Sequence, residues 1–201
     1  MSASQTALRR RILSVAKHRF ARFGYEDTSL ADISHSADVS QVELLHHFES
    51  KLSILTAILE EGWDSIHPKL AHIIDTSLSA RLAMLSILAF MMNLIETDED
   101  LVRILLFEGR RPDPDSSEVK ISDGYRRFMV TCTALIVRGQ NDGSFRVSYH
   151  PRVITSILMG AVEGIMRDRL LAEQESNITP YTGTYLMSAF DGLVSYLKPG
   201  S

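Results

Sequence analysis

The stretch ADVSQVELLHHFESK, Ala37 to Lys51, concentrates side chains able to do chemistry: the Ser40 hydroxyl, the Gln41 amide, the Glu43 carboxylate, the His46 and His47 imidazoles and the Lys51 ammonium. An amide can pair with adenine N6 and N7, a carboxylate can accept from cytosine N4, and hydroxyls and cations hold phosphate oxygens. The set therefore suits a nucleic-acid surface, although the arginines expected of a guanine reader are missing. The paired histidines invite a metal reading. On a helix, however, neighbours point about 100° apart, and no thiol or acid pair surrounds them, so no metal is expected. Elsewhere there are acids, bases and Cys132, but no nucleophile–base–orienter set and no phosphate-cradling glycine loop. A small enzyme is thus the weakest reading, behind a DNA-binding regulator and a helical interaction protein with a degenerated DNA-binding head. No cofactor is implied.

Helical periodicity dominates the segments that must position these groups. Leu8, Ile12, Ala16, Phe20 and Phe23 form one apolar stripe, and Gly24 stops that first helix. Thr28 or Ser29 can cap a short second helix with Leu30, Ile33 and Ala37 facing inward, before a turn at Asp38. Ser40 starts a third helix ending near Phe48, and Ser50 caps a fourth running to His67, where Pro68 should end or kink it. Five more helices are expected over 79–96, 98–109, 117–141, 151–175 and 180–197, with turn-rich breaks at 110–116, 141–143 and 177–180. No convincing strand alternation occurs. The predicted fold is all-α with about nine helices, the second and third spaced as a helix-turn-helix whose second member enters the major groove.

Charge is unevenly distributed. The net charge of −4 argues against indiscriminate nucleic-acid binding, yet the first 25 residues hold six basic side chains and no acid. Through Lys51 there are seven basic and six acidic residues, net +1, leaving fourteen and nineteen, net −5, for the rest. A weakly basic head on an acidic body suits a short nucleic-acid module joined to something else. The longest nearly apolar run, Leu82 to Ile95, has 14 residues, short of the roughly 20 of a membrane span. No membrane association is expected, and the lone Cys132 with no leader-like opening makes a reducing cytoplasm the expected location.

Residues 9 to 55, RRRILSVAKHRFARFGYEDTSLADISHSADVSQVELLHHFESKLSIL, resemble the N-terminal DNA-binding domain of TetR-type transcriptional regulators. The matching features are Ile12, Ala16 and Phe20 on a basic helix, Phe23-Gly24-Tyr25, Thr28-Ser29-Leu30, Asp32-Ile33, Ala37, Val39-Ser40, and His47-Phe48 followed by Ser50-Lys51. The resemblance implies a helix-turn-helix domain over 1–50 and a helical ligand-binding and dimerisation domain over 51–201. It further implies a homodimer on double-stranded, near-palindromic operator DNA, released by a small effector. Carried over by position, Thr28, Ser29, Ser40, Gln41, His47 and Lys51 would touch DNA. The chain departs from the family's pattern at Val42, Glu43 and Leu45, and Asp38 replaces a frequent turn glycine.

Several of these residues admit two roles. Glu43 could specify cytosine, or close an S-x-x-E capping box with Ser40, and cannot fully do both. Leu45 could contact a thymine methyl or lie against the neighbouring helix. His46 and His47 suit phosphate donation, which predicts tighter DNA binding at pH 6 than at pH 8. Arg9 to Arg11 could touch flanking backbone or form a solvated face, and the acids Glu96, Asp98, Glu99 and Asp100 suit the start of a helix.

Seven of the eight methionines lie beyond residue 83. Met91, Met92, Leu105, Phe107, Phe128, Met129, Cys132 and Met159 could line a greasy pocket for a hydrophobic effector, oriented by Arg103, Glu108, Tyr125 and Glu163; plain core is the alternative. Gly160 and Gly164 each cost about 1 kcal/mol in a helix interior. Together with Ala189 and Gly192 they suit close helix approach, as a dimer interface or as tight packing within one subunit.

Overall fold

The computed structural model describes residues 3–112, 119–145, 149–172 and 188. Boundaries follow local chemistry. The first helix, α1 (Ala3–Phe23), stops where Gly24 turns to φ +84°, its N–H still reaching the Phe20 carbonyl at 3.0 Å. Next come α2 (Leu30–Ser36) and α3 (Gln41–His47), each opened by a serine and an acid three residues on. Between them Asp38 adopts φ +51°, a left-handed conformation that a short polar side chain tolerates better than most. Reciprocal Ser50–Ser53 bonds of 3.1 Å open α4 (Lys51–Thr76).

The helix expected to end or kink at Pro68 runs on to Thr76. Proline removes one bond of a 26-residue ladder, while Ile66 and Leu70 on either side are buried and hold the helical course. Then follow α5 (Ala80–Thr97), with Ser79 accepting the Leu82 N–H at 3.2 Å, and α6 (Glu99–Phe107), N-capped by Asp98. An unexpected antiparallel ribbon, β1 (Arg110–Pro112) with β2 (Val119–Ile121), pairs Arg110 with Ile121 and Pro112 with Val119. It delays the next helix, α7 (Asp123–Asn141), past the expected start at Ser117. Finally α8 (Pro151–Ala172) opens on proline, which suits the first turn. The expected helix over 180–197 lies outside the described residues apart from Ser188.

The chain divides into two compact units. One comprises Met1–Ser65 and Asp98–Gly124; the other takes in Ile66–Thr97 and the described residues from Tyr125 onward. The expected boundary at 50/51 therefore falls inside the first unit, between α3 and α4. In that unit Ile12, Ala16 and Phe20 of α1 meet Ile33, Ala37, Leu44 and Phe48 of the helix-turn-helix, Ile54 and Leu55 of α4, and Ile104 of α6. Each of the larger of these side chains contributes about 1.5–3 kcal/mol on burial, and Ile104 makes α6 part of the head's core. In the other unit Met84, Ile87 and Leu88 of α5, Phe128, Cys132 and Leu135 of α7, and Leu158, Met159, Met166 and Leu170 of α8 are buried. By length and composition α5 could cross a membrane, but its stripe from Ala80 to Ile95 is buried in this core.

Candidate nucleic-acid interface

The helix-turn-helix is held by two capping boxes. In α2 the Ser29 hydroxyl accepts the Asp32 N–H at 3.1 Å, and the Asp32 carboxylate accepts the Ser29 N–H at 2.9 Å. In α3 Ser40 accepts the Glu43 N–H at 3.1 Å, while Glu43 accepts from the Ser40 N–H at 3.2 Å and its hydroxyl at 3.1 Å. These bonds hold both carboxyls below the usual range. For Glu43 the Ser40 backbone N–H matters most, then its hydroxyl, with Arg11 and His47 adding smaller effects. Of Glu43's two readings, the structure realises the cap.

Thr28 is corrected. Its hydroxyl is fully buried and donates to the Gly24 carbonyl at 2.8 Å, so it locks the loop before α2 and is unavailable to a phosphate. Ser29 is exposed but spends its hydroxyl on Asp32. The Lys51 ammonium donates to the Tyr25 and Glu26 carbonyls at 2.7 and 3.3 Å and lies 4.2 Å from the Tyr25 ring centroid, tying the start of α4 to that loop. Arg9 pairs with Glu61 and covers the Phe48 ring, and Arg11 donates to the Asp38 carbonyl at 3.3 Å. Much of the basic face of α1 is thus engaged within the head.

What α3 presents outward is different. Leu44 and Phe48 point into the core, leaving Gln41, Val42, Leu45 and His46 exposed and His47 half-buried. The two imidazoles stand edge-to-face with centroids 6.0 Å apart, and no group of metal-ligating side chains occurs among the described residues. Val42, noted in the sequence only as a departure, is 79% exposed. Its outward direction could have been read from its half-turn separation from Leu44.

Behind α3, polar clasps join α1 to α6 within the same unit. Lys17 donates to both Asp98 oxygens at 2.8 Å, His18 meets Asp100 at 2.9 Å, and Glu108 accepts the Tyr25 N–H at 3.1 Å. Asp98 also caps α6 by accepting the Leu101 N–H at 3.2 Å. Asp98, Glu99 and Asp100 thus stand at a helix start as the sequence implied, whereas Glu96 lies in the last turn of α5 and pairs with Arg169; these long-range partners carried no sequence signal.

The expected effector residues divide between the units. Arg103 pairs with Glu99 at 2.6 Å, Leu105 packs on the head core, Glu108 is held by Tyr25, and Phe107 is half-exposed, all in the first unit. These four thus belong to the unit of the head, where Ile104 and Leu105 of α6 join its core. In the second unit Met91, Met92, Phe128, Cys132 and Met159 are buried, Met129 is half-buried, and the Tyr125 hydroxyl donates to Glu163 at 3.1 Å. Burial pushes the Cys132 thiol up to about 12, so it packs as a small neutral hydrophobe. Sequence reading missed a second polar pair, Thr133 with fully buried Thr155, 3.2 Å apart.

Two concavities stand out. One of about 230 Å³ lies in the head between α1, α4 and α6, lined by Lys17, Glu61 and Asp98 among others. The other, about 690 Å³, lies in the second unit between α4 and α7, with Leu70, Ala71, Ile74 and Val130 as apolar lining and His67, Asp75, Arg126 and Arg127 as polar lining. Ligand sites usually occupy about 300–1,000 Å³, which favours the second.

On α8, a Cβ added to Gly160 or Gly164 would meet nothing within 4 Å among the described residues. Val153, Ile157 and Leu171 on the same helix are about half exposed. Ala189 and Gly192 lie outside the described residues.

Residues 12–58 match the model of the bacterial regulatory proteins, tetR family. The transcriptional repressor KstR2 of Mycolicibacterium smegmatis is 30% identical over 148 residues, 71% of this chain and 70% of its own. Among solved structures, FadR of Bacillus subtilis in complex with stearoyl-CoA superposes with a TM-score of 0.80 at 16% identity, covering 94% of this chain and 99% of FadR. AibR in complex with isovaleryl coenzyme A and operator DNA gives 0.72 at 17% identity, covering 93% and 97%. The two structures share the fold; the repressor similarity extends well beyond the head whose capped helices were described above. The chain belongs to the tetR family of bacterial regulatory proteins, DNA-binding transcriptional repressors of the helix-turn-helix type.

Proposed function

We propose that the chain acts as a homodimeric, cytoplasmic repressor that occupies a near-palindromic operator through α3 and leaves it when an acyl thioester of coenzyme A binds the second unit. The observation that carries the DNA half is the division of α3 into two faces. Leu44 and Phe48 seal the head core, while Gln41, Val42, Leu45 and His46 remain free of it. Gln41 would pair with adenine, and His46 and His47 would approach phosphates.

The effector half draws support from the two fold relatives described with stearoyl-CoA and isovaleryl coenzyme A. The groove between α4 and α7 joins an apolar lining to Arg126, Arg127 and His67. That combination suits a molecule with a greasy chain and an anionic head. Met91, Met92, Met129 and Met159 and the Tyr125–Glu163 pair belong to the same unit but do not line the groove; the methionines would let the core beside it adapt to a bound chain. Release requires the effector to bind the DNA-free arrangement more tightly than the DNA-bound one, otherwise it shifts nothing.

A mobility-shift titration of the operator complex with stearoyl-CoA, isovaleryl-CoA and free coenzyme A tests this. An acyl-CoA is expected to weaken DNA binding about ten-fold or more, within the usual range of allosteric coupling, while free coenzyme A leaves it unchanged. Indifference to every acyl-CoA would contradict the effector class.

A further inference from the structure

The centre of the outward face of α3 is apolar. Val42 is 79% and Leu45 47% exposed, while Leu44 between them is wholly buried. Residues three apart on a helix are surface neighbours, so the two side chains form one small apolar patch. Single exposed hydrophobics are ordinary; these two lie on the element that enters the major groove in a helix-turn-helix protein. Glu43, the acid beside them, is turned back onto the Ser40 N–H and hydroxyl and does not compete for the base edges. What remains to hydrogen-bond is Gln41 on one side and His46 on the other.

The apolar group that B-DNA offers in its major groove is the thymine 5-methyl; cytosine presents a bare C5–H at the same place. We infer that Val42 and Leu45 read thymine methyl groups, so that each operator half-site carries two thymines told from cytosine through their 5-methyls. Neighbours at i and i+3 have Cβ atoms about 5–6 Å apart, and bases on one strand rise about 3.4 Å per step. The two thymines therefore fall within two base steps of each other. The inference rests on the operator-binding reading above.

The full-length protein is first used to select duplexes from a random pool. Each thymine of the enriched duplex is then replaced in turn by deoxyuridine, which removes only the methyl group, and affinity is measured by fluorescence anisotropy. Burying one methyl predicts a loss of about three- to five-fold at each of two positions per half-site. One penalty should vanish in Val42→Ala and the other in Leu45→Ala, both exposed positions whose helix content can be verified by circular dichroism. Affinity indifferent to deoxyuridine everywhere, or penalties that persist in both variants, would overturn the inference while leaving operator binding intact. Failure to enrich any duplex would sink the operator reading and this inference with it.

Discussion

Ser40 and Glu43 do for α3 what a seven-residue helix cannot do alone, satisfying free N–H groups at its start. The Glu43 and Asp32 carboxyls are both held below their ordinary values, Glu43 chiefly by the Ser40 backbone N–H and Asp32 chiefly by the Ser29 hydroxyl. A carboxylate lowered on folding adds stability that is fully present above its unfolded value and is lost as pH falls through the folded one. The melting temperature of wild type should therefore exceed that of Glu43→Gln at pH 7, with the gap closing between pH 5 and pH 3. A constant gap across that range would show that the cap does not depend on the charge. The Ser40–Glu43 box was legible because its partners are three residues apart. Ser29 and Thr28, in contrast, are adjacent hydroxyls that sequence could not separate. Tertiary burial assigned the cap to Ser29 and the Gly24 carbonyl to Thr28.

Helices were legible as elements because the 3.6-residue period repeats many times along each one, whereas a ribbon of two three-residue strands offers too few alternations to register. The start of α7 is fixed by contacts distant in sequence. The Asp123 N–H reaches Glu60 at 3.2 Å, and Gly124 lies so close to Trp63 that an added Cβ would fall 2.2 Å from the tryptophan Cβ. Gly124 thus marks where α7 must touch α4, and Trp63 is nearly buried there. Gly124→Ala should destabilise by about 1–3 kcal/mol through overpacking, a drop of about 2–4 °C in Tm per kcal/mol in thermal melts. A melt like wild type would mean that the contact relaxes freely. The same dependence on distant contacts explains the miss at α6. Its residues have helical period, but which unit their apolar face joins is decided by Ile104 and Leu105 meeting α1 and the helix-turn-helix.

A second copy, as the proposed palindromic operator requires, would find a suitable surface on α8. Val153, Ile157, Gly160, Gly164 and Leu171 recur at three-, four- and seven-residue steps with open space beside the two glycines among the described residues. Glycines that cost about 1 kcal/mol each in a helix interior are explained if a partner's helix lies against them. Gly164→Leu is expected to turn a dimer into a monomer in sedimentation velocity and to weaken operator binding. A dimer that persists would move the interface off this face of α8. The two-unit organisation was only partly readable, since nothing in the sequence shows that Asp98–Gly124 folds with the head.

The most direct test is a hydroxyl-radical footprint of the purified full-length protein on the duplex it selects from a random pool. Two copies of α3 in successive major grooves should protect two near-palindromic half-sites centred about 34–36 Å apart, one helical turn. Affinity should fall steeply as salt rises from 50 to 200 mM because phosphate contacts release counterions. Protection of a single half-site, or no discrete footprint at any salt concentration, would contradict the account.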